Sequence, residues 1–488
     1  MIDTKNKPYI LLPFNFMRID EGRILAVNMV GEYISLPYDD FISLVNYSLG
    51  GSTDIYGELK AKHFVTERLT DPAIDLLAIK YRTKKSNLDD FTALHMFVLT
   101  TRCNQKCIYC HASSRDTHYK NGDMNRLTAK RAVDMALMTP ANKIKIEFQG
   151  GEPLLNYSVL KFIVEYARRL SATINKEVEF VVCTNLTAAT DNMLKFFAGH
   201  DILISTSFDG PKHVHDNNRI FHDGSGSYDD LLKALEKARR YIKHDNISAL
   251  MTTTRYSLPH PEEIVAAYIE NGLSSIFVRS LNPFGYAKVR QSELSYSPQE
   301  FVTFYKRVLD AVIEINRKGT FISEGLAALF LSRILTPYSA GFVDMQFPTG
   351  AGISGVIYDY NGNVYLSDEG RMLARMGDEK FCQGNVETHS YRELFYGSMI
   401  VDIIRSTCSE SLPECCDCAF QAYCGIDPIR NYAAQNDIVG HRPTSRFCYE
   451  NREILRSIFD LVLSADRELM DIFLSWIVAG ADVMYREN

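Results

Sequence analysis

Six short apolar runs of strand length recur through the middle of the chain: Leu94 to Thr100, Lys143 to Phe148, Glu177 to Cys183, Ile202 to Ser207, Ser248 to Thr253 and Ser275 to Val278. Amphipathic stretches of helical length, such as Val159 to Leu170 and Tyr228 to Tyr241, separate them. A strand that returns to its sheet through a helix runs parallel to its predecessor. The alternation therefore predicts an α/β protein with a parallel sheet and outer helices, an open or partial (β/α)6 barrel. In such folds chemistry gathers at the C-terminal strand ends. Four segments directly follow predicted strands: the cysteine loop Thr101 to Cys110, Gly150-Gly-Glu-Pro153, Thr184-Asn185, and Ser207. They are expected to converge on one rim.

The flanks differ in pattern. Residues 1–86 alternate apolar and polar positions around Tyr9 to Leu12, Arg23 to Val27 and Tyr33 to Leu36, with a helix from near Asp39, and read as a small α+β module. The basic run Arg82-Thr-Lys-Lys85 reads as a solvated linker into the barrel, 87–344. Residues 345–450 hold glycine-rich turns, a hairpin signal at Asp359-Tyr-Asn-Gly-Asn363 and cysteine-rich loops. Residues 451–488 are apolar at helical spacing and should pack back as one or two helices.

With 60 acidic against 53 basic residues and a net charge of −7, no electrostatic case exists for a nucleic-acid partner. No apolar run approaches the ~20 residues that span a bilayer, and the N-terminus lacks a secretory pattern, so a cytoplasmic protein without a membrane partner is expected. In that compartment eleven cysteines read as metal ligands rather than disulfides. Cys103, Cys107 and Cys110 form a Cys-x3-Cys-x2-Cys loop just past a strand. Three thiolates are one short of closing a four-iron cluster, which leaves one iron with an open position. Structural zinc would want a fourth ligand, and His111 stands too close beside Cys110 to supply it.

This spacing, with an aromatic residue before the third cysteine and Gly150-Gly-Glu-Pro153 some forty residues on, resembles the radical S-adenosylmethionine (SAM) superfamily. The resemblance implies a [4Fe-4S] cluster whose open iron is chelated by SAM, reductive cleavage to a 5′-deoxyadenosyl radical, and hydrogen abstraction from substrate. It also implies a cofactor shell. Gly150 and Gly151 would let the backbone approach the ligand, and Glu152 would receive its amino group. Ser207 and Arg219 would hold the ribose and carboxylate side. Tyr109 and Leu281 would contact adenine, although Leu281 reads equally well as core.

Further along, Cys415-x2-Cys418-x5-Cys424, with Cys448, resembles the auxiliary-cluster half of a SPASM domain. Four thiolates from that set would close one auxiliary [4Fe-4S] site, or a zinc site. The cysteines that a second auxiliary cluster requires are missing: Thr349, Ser367 and Pro428 stand near or at their positions. One auxiliary cluster is thus expected, with Cys183, Cys382, Cys408 and Cys416 left as free thiols and Cys416 a competitor for the place of Cys415. Asp368 matches the base of sulfatase-maturing relatives, the alternative being a solvent-exposed hairpin carboxylate.

Segments outside these motifs, among them Lys80 to Ser86, Glu147 to Asn156, Ala249 to Arg255, Ser367 to Leu373, Cys418 to Gln421 and Gly440 to Ser445, resemble the His-Xaa-Ser system radical SAM maturases. That family implies a peptide-modifying oxidoreductase acting on a precursor peptide with a leader, beside a second radical SAM enzyme and an external electron donor. The N-terminal module resembles a winged-helix peptide-recognition element, which takes a leader as an added strand and concentrates the core peptide at the barrel mouth. A domain that only buttresses the barrel is the plainer reading. Two other functions remain open here: a sulfatase-type formylglycine maturase, and a non-catalytic adaptor holding zinc in both cysteine sites.

Overall fold

The computed structural model describes residues 7–69, 71–88, 91–338, 341 and 343–484, so the last four residues of the predicted C-terminal helices lie outside the described residues. The N-terminal region contains β1 (Ile10–Leu11), β2 (Phe14–Arg18), β3 (Arg23–Asn28) and β4 (Tyr33–Pro37), helices Tyr38–Val45 and Asp54–Ala61, β5 (Val65–Thr66), and helix Asp71–Lys84. β2, β3 and β4 form an antiparallel sheet, and β1 pairs with β5. Alternation sends Ile24, Ala26, Ile34 and Leu36 against Phe41, Leu44, Tyr56 and Leu59. Leu25 and Val27, on the opposite face, join the main core.

The expectation of a solvated basic linker is corrected. Lys84 closes a helix and is 5% exposed, with Nζ donating to the Arg333 carbonyl at 2.6 Å. Lys85 pairs with Glu410 at 2.7 Å. A charged run on a helix end that faces other elements is buried by them whatever its composition.

The barrel strands are β6 (Leu94–Thr100), β7 (Lys143–Gly150), β8 (Glu177–Thr184), β9 (Leu203–Ser207), β10 (Ile247–Thr252), β11 (Ser275–Ile276) and β12 (Val278–Arg279). The sixth predicted run is therefore broken at Phe277: β12 continues the sheet beside β10, while β11 pairs with β13 (Ser323–Glu324). β14 (Gly355–Tyr358), β15 (Asn363–Tyr365) and β16 (Cys382–Asn385) complete a nine-stranded sheet of order β12-β10-β9-β8-β7-β6-β14-β15-β16. It is parallel from β12 to β14 and antiparallel beyond. The fold is α/β, a partly closed parallel sheet with a cysteine-rich C-terminal region.

The predicted hairpin at Asp359 to Asn363 forms, but not as part of a separate layer: β14 lies parallel to β6 and extends the barrel sheet. Outside, Ile144, Ile146 and Phe148 of β7 pack into one core with Ala129, Val133, Leu160 and Ile163 of helices Arg126–Leu137 and Tyr157–Thr173. Helices Arg446–Ser464 and Arg467–Met484 close the molecule against Pro298–Arg317 and Gly325–Leu335, burying Trp476. Among the described residues, no helix is long and apolar enough to cross a membrane.

Candidate active site

The loop after β6 is pinned from three sides. Cys103 N donates to the Arg115 carbonyl at 2.9 Å, Lys106 N to Ile220 at 2.7 Å and Ile108 N to Asn218 at 2.9 Å. Arg102 clamps the loop base through Asp123 at 2.7 Å. Cys103, Cys107 and Cys110 lie within electrostatic reach of one another. Burial pushes the Cys103 thiol well above its usual range, with Cys107 and Glu152 adding to it. Burial also pushes Cys107 up to about 12, against the pull of Arg219. Thiols crowded in this way do not ionise together unless a metal shares the charge. His111 is occupied: its Nε2 accepts from Asn282 N at 3.3 Å, and burial, followed by three nearby arginines, holds it neutral with a pKa of about 3.

The glycine pair after β7 serves the loop itself. A Cβ at Gly150 would lie 2.3 Å from the Thr100 carbonyl oxygen, and one at Gly151 2.2 Å from that of Arg102. Absent side chains thus let the β7 end seat against the cysteine loop, with Gly151 N donating to Thr100 at 2.8 Å and Glu152 N to Arg102 at 2.7 Å. Glu152 is fully buried, and both of its oxygens are engaged: Leu154 N and Thr184 Oγ1 on Oε1, Asn185 N on Oε2. It braces the β7 and β8 ends together. Burial, opposed by these donors, raises its pKa to about 7. Asn185 Nδ2 continues to Cys103 Sγ at 3.7 Å. The four strand-end segments thus share one rim.

Arg219 reaches this rim from the loop after helix Lys212–Asn218, its Nη1 3.9 Å from Cys107 Sγ. Sequence reasoning missed the residue that aims it. Asp209, with no exposure, accepts from Arg219 Nε at 3.2 Å, from Tyr109 Oη at 2.7 Å and from Thr252 N at 3.2 Å. Tyr109 is therefore held at its phenol end, in a small cluster with Ile108, Leu294 and the partly buried Leu281. Ser207 ends β9 partly exposed, and no hydrogen bond engages its hydroxyl among the described residues.

In the C-terminal region every pair among Cys415, Cys418, Cys424 and Cys448 is within electrostatic reach. Cys416 instead turns to Asp417, its Sγ 3.6 Å from Oδ2. Three outside contacts hold this loop. Arg442 Nε donates to Cys415 Sγ at 3.1 Å, Asn15 of β2 to the Cys416 and Cys418 carbonyls at 2.9 and 3.1 Å, and Arg333 to those of Tyr423 and Cys424 at 2.8 and 3.0 Å.

Neither cysteine set is drawn to single-ion spacing. Among the described residues, the one group of three His, Cys, Asp or Glu whose ligand atoms fall within 4.8 Å is His213, His260 and Glu263. One zinc with sulfurs at about 2.3 Å would hold them about 3.8 Å apart, whereas the corners of a four-iron cube spread them wider. Thiolate donors in sets of three and four are the kind that four-iron clusters take. Where a second auxiliary cluster would sit, Thr349, Ser367 and Pro428 are buried. Their chain neighbours Ala351, Leu366 and Ile429 belong to an apolar cluster with Phe284, Phe381 and Ile403.

Asp368 is not a hairpin residue. It opens helix Asp368–Arg375, one-fifth exposed, and Arg371 Nε and Nη2 both donate to its Oδ1, at 2.8 and 2.6 Å. The same Arg371 lies within reach of Cys110, and Asp368 within reach of Cys183 on β8. Because β14 sits beside β6, this helix is delivered to the barrel mouth.

Comparison with known proteins agrees with this geometry. Residues 97–276 match the Radical SAM superfamily. An uncharacterized protein of Methanocaldococcus jannaschii is 35% identical over 187 residues, 38% of this chain and 61% of that protein's own length. A cysteine-type anaerobic sulfatase-maturating enzyme of Clostridium perfringens is 25% identical over 374 residues, 74% of this chain and 95% of that enzyme. Among solved structures, native anSMEcpe with bound AdoMet superposes with a TM-score of 0.64 at 19% identity, covering 78% of this chain and 99% of that one. SuiB of Streptococcus suis bound to precursor peptide SuiA gives 0.53 at 15% identity, covering 90% and 99%.

Proposed function

We infer that this radical SAM enzyme modifies a ribosomally made peptide of the His-Xaa-Ser repeat type, delivered by a leader and worked on beside a second radical SAM enzyme in the cytoplasm. The observation that carries a peptide substrate is the linking of three parts through the C-terminal region. These are the cysteine rim, the Asp368–Arg371 pair on the helix after β15, and an N-terminal sheet whose β2 edge touches the C-terminal cysteine loop through Asn15. The SuiB complex, a peptide-bound neighbour, covers more of this chain than the anSMEcpe structure does.

In this reading Cys103, Cys107 and Cys110 hold the radical cluster, and Cys415, Cys418, Cys424 and Cys448 hold one auxiliary [4Fe-4S] cluster. When bound, the clusters and SAM supply one-electron reduction, carbon–sulfur cleavage and hydrogen abstraction, with an external donor providing electrons. The chain's own residues do the rest. Ser207 offers its unengaged hydroxyl to the ribose, and Arg219, fixed by Asp209, offers a permanently charged fork to the carboxylate side. Tyr109 and Leu281 wall the adenine side, while Gly150, Gly151 and Glu152 keep the β7 end seated on the cysteine loop. Arg371 holds Oδ1 of Asp368 and leaves Oδ2 to take a proton from the substrate.

The 25% identity to a sulfatase-maturating enzyme favours one competing substrate, a sulfatase-derived segment whose Cys or Ser becomes formylglycine. Anaerobically reconstituted, dithionite-reduced protein given SAM should release 5′-deoxyadenosine, faster with a His-Xaa-Ser precursor than with a sulfatase-derived peptide, and Cys107→Ala should abolish release. Faster release with the sulfatase peptide, plus an aldehyde on it, would overturn the peptide assignment.

A further inference from the structure

The barrel interior carries a carboxylate to which the cofactor reading gives no task. Alternation along β7 sends Ile144, Ile146 and Phe148 outward, so Lys145, Glu147 and Gln149 point inward. The inward cations are engaged elsewhere: Lys145 pairs with Glu179 at 2.8 Å, Arg371 with Asp368 at 2.6 Å, and Arg279 stacks over Phe277. Among the described residues Glu147 makes no ion pair.

It is nevertheless held in place. Gln149 Nε2 donates to its Oε1 at 2.5 Å and also approaches Met96 Sδ of β6 at 3.5 Å. On its other side lies the Cys183 thiol, backed by Ser205 of β9 and facing Asp368. Burial, then Glu147, keeps that thiol well above its usual pKa, so Cys183 stays protonated beside the carboxylate. Glu147 itself is partly exposed, so open space lies in front of it. Three residues before Gly150, at about 3.3 Å rise per residue, it sits roughly 10 Å below the rim along the strand. A fixed, half-buried charge without a counter-charge is unfavourable unless water or a cationic ligand faces it.

We propose that Glu147 receives a cationic side chain of the peptide substrate, an imidazolium, ammonium or guanidinium group at or beside the reacting residue. This rests on the peptide-modifying reading and names the side-chain class that its site takes. Gln149 and Cys183 are positioning residues: they fix the carboxylate's rotamer, and its partly exposed side faces the ligand. Asp368 lies across the same space, with its own charge already matched by Arg371.

The test uses the reconstituted holoenzyme and two synthetic nonapeptides, (Lys-Gly-Ser)3 and (Gln-Gly-Ser)3, with binding followed by anaerobic calorimetry and 5′-deoxyadenosine release followed by chromatography. The wild-type enzyme should bind the lysine peptide at least tenfold more tightly. Glu147→Gln should erase that preference while its affinity for SAM and for the glutamine peptide stays unchanged. Glu147→Asp, which keeps the charge on a shorter stem, should retain the preference and guards against a fold defect in the first variant. Equal binding of the two peptides by the wild-type enzyme, or a preference that survives in Glu147→Gln, overturns the assignment of Glu147 and leaves the peptide reading intact. If neither peptide binds nor raises 5′-deoxyadenosine release, the assignment of Glu147 falls, while the peptide reading is decided separately by the leader-bearing precursor.

Discussion

Asp209 is fully buried and its carboxylate accepts three hydrogen bonds, two of them from residues expected to touch the cofactor. Removing a buried charge strands its partner, and such losses run to about 3–5 kcal/mol when nothing replaces them. Asp209→Asn keeps the shape and loses the charge, so Arg219 should lose its aim before the fold fails. Its dissociation constant for SAM should rise at least tenfold, about 1.4 kcal/mol, with iron in the first cluster retained; unchanged affinity in a calorimetric titration would remove Asp209 from the cofactor site. Asp368 calls for a different signature. Because its proposed task follows hydrogen abstraction, Asp368→Asn should cut peptide product by roughly 10²–10⁴-fold while 5′-deoxyadenosine release persists. A parallel fall in both would make Asp368 structural. The grouping of the cysteines was legible because their spacing is short and fixed. Asp209 was not, since its partners Tyr109 and Arg219 come together only when β9 and the loop after β6 meet in space.

Among elements, the end of helix Asp71–Lys84 carries more than its composition indicates. Lys84 Nζ meets the Arg333 carbonyl and stands over the Tyr423 ring, and the Tyr423 hydroxyl donates to the Gly31 carbonyl at 2.8 Å. Arg333 in turn holds the Tyr423 and Cys424 carbonyls. One amine therefore joins the N-terminal sheet, a barrel-side helix and the auxiliary cysteine loop. Burial, with Arg333 adding to it, lowers its pKa to about 7. Below that pH both folded and unfolded states hold the proton, and the folded state bears the full cost of the buried charge. Between about 7 and the unfolded value near 10.4 only the unfolded state keeps the proton, so this residue's contribution to stability rises with pH. Lys84→Met should therefore stabilise most at or below pH 7, by up to roughly 4 kcal/mol, and its melting-temperature gain should shrink toward pH 10. A gain independent of pH would show that packing, not the amine's charge, sets the effect. Sequence placed this run in solvent because the spacing of basic residues is silent about what packs over them, whereas the strand–helix alternation of the barrel was legible from its period.

At the scale of the whole molecule, the decisive event is the addition of β14 beside β6, which makes the C-terminal region a continuation of the barrel. The hairpin turn was readable from Asn361-Gly362, but no local pattern says which edge a hairpin will join. That edge choice brings Asp368 and Arg371 to the mouth and places the auxiliary cysteine loop against the N-terminal sheet. It also determines what fills the space between them. Ala351, Leu366, Ile429 and Phe381 pack there as a core, and an apolar core of that kind leaves neither thiolates nor room for a second auxiliary cluster. Fully reconstituted protein should accordingly carry about eight iron atoms, two four-iron clusters, per chain. Cys418→Ala should bring the count to about four while SAM binding survives, because Cys103, Cys107 and Cys110 lie on a different loop pinned to different strands. Cys416→Ser, whose side chain turns to Asp417, should leave iron unchanged. A wild-type count near twelve, or iron lost from Cys416→Ser, would show that the apolar cluster opens to admit another site and that the one-auxiliary-cluster architecture is wrong.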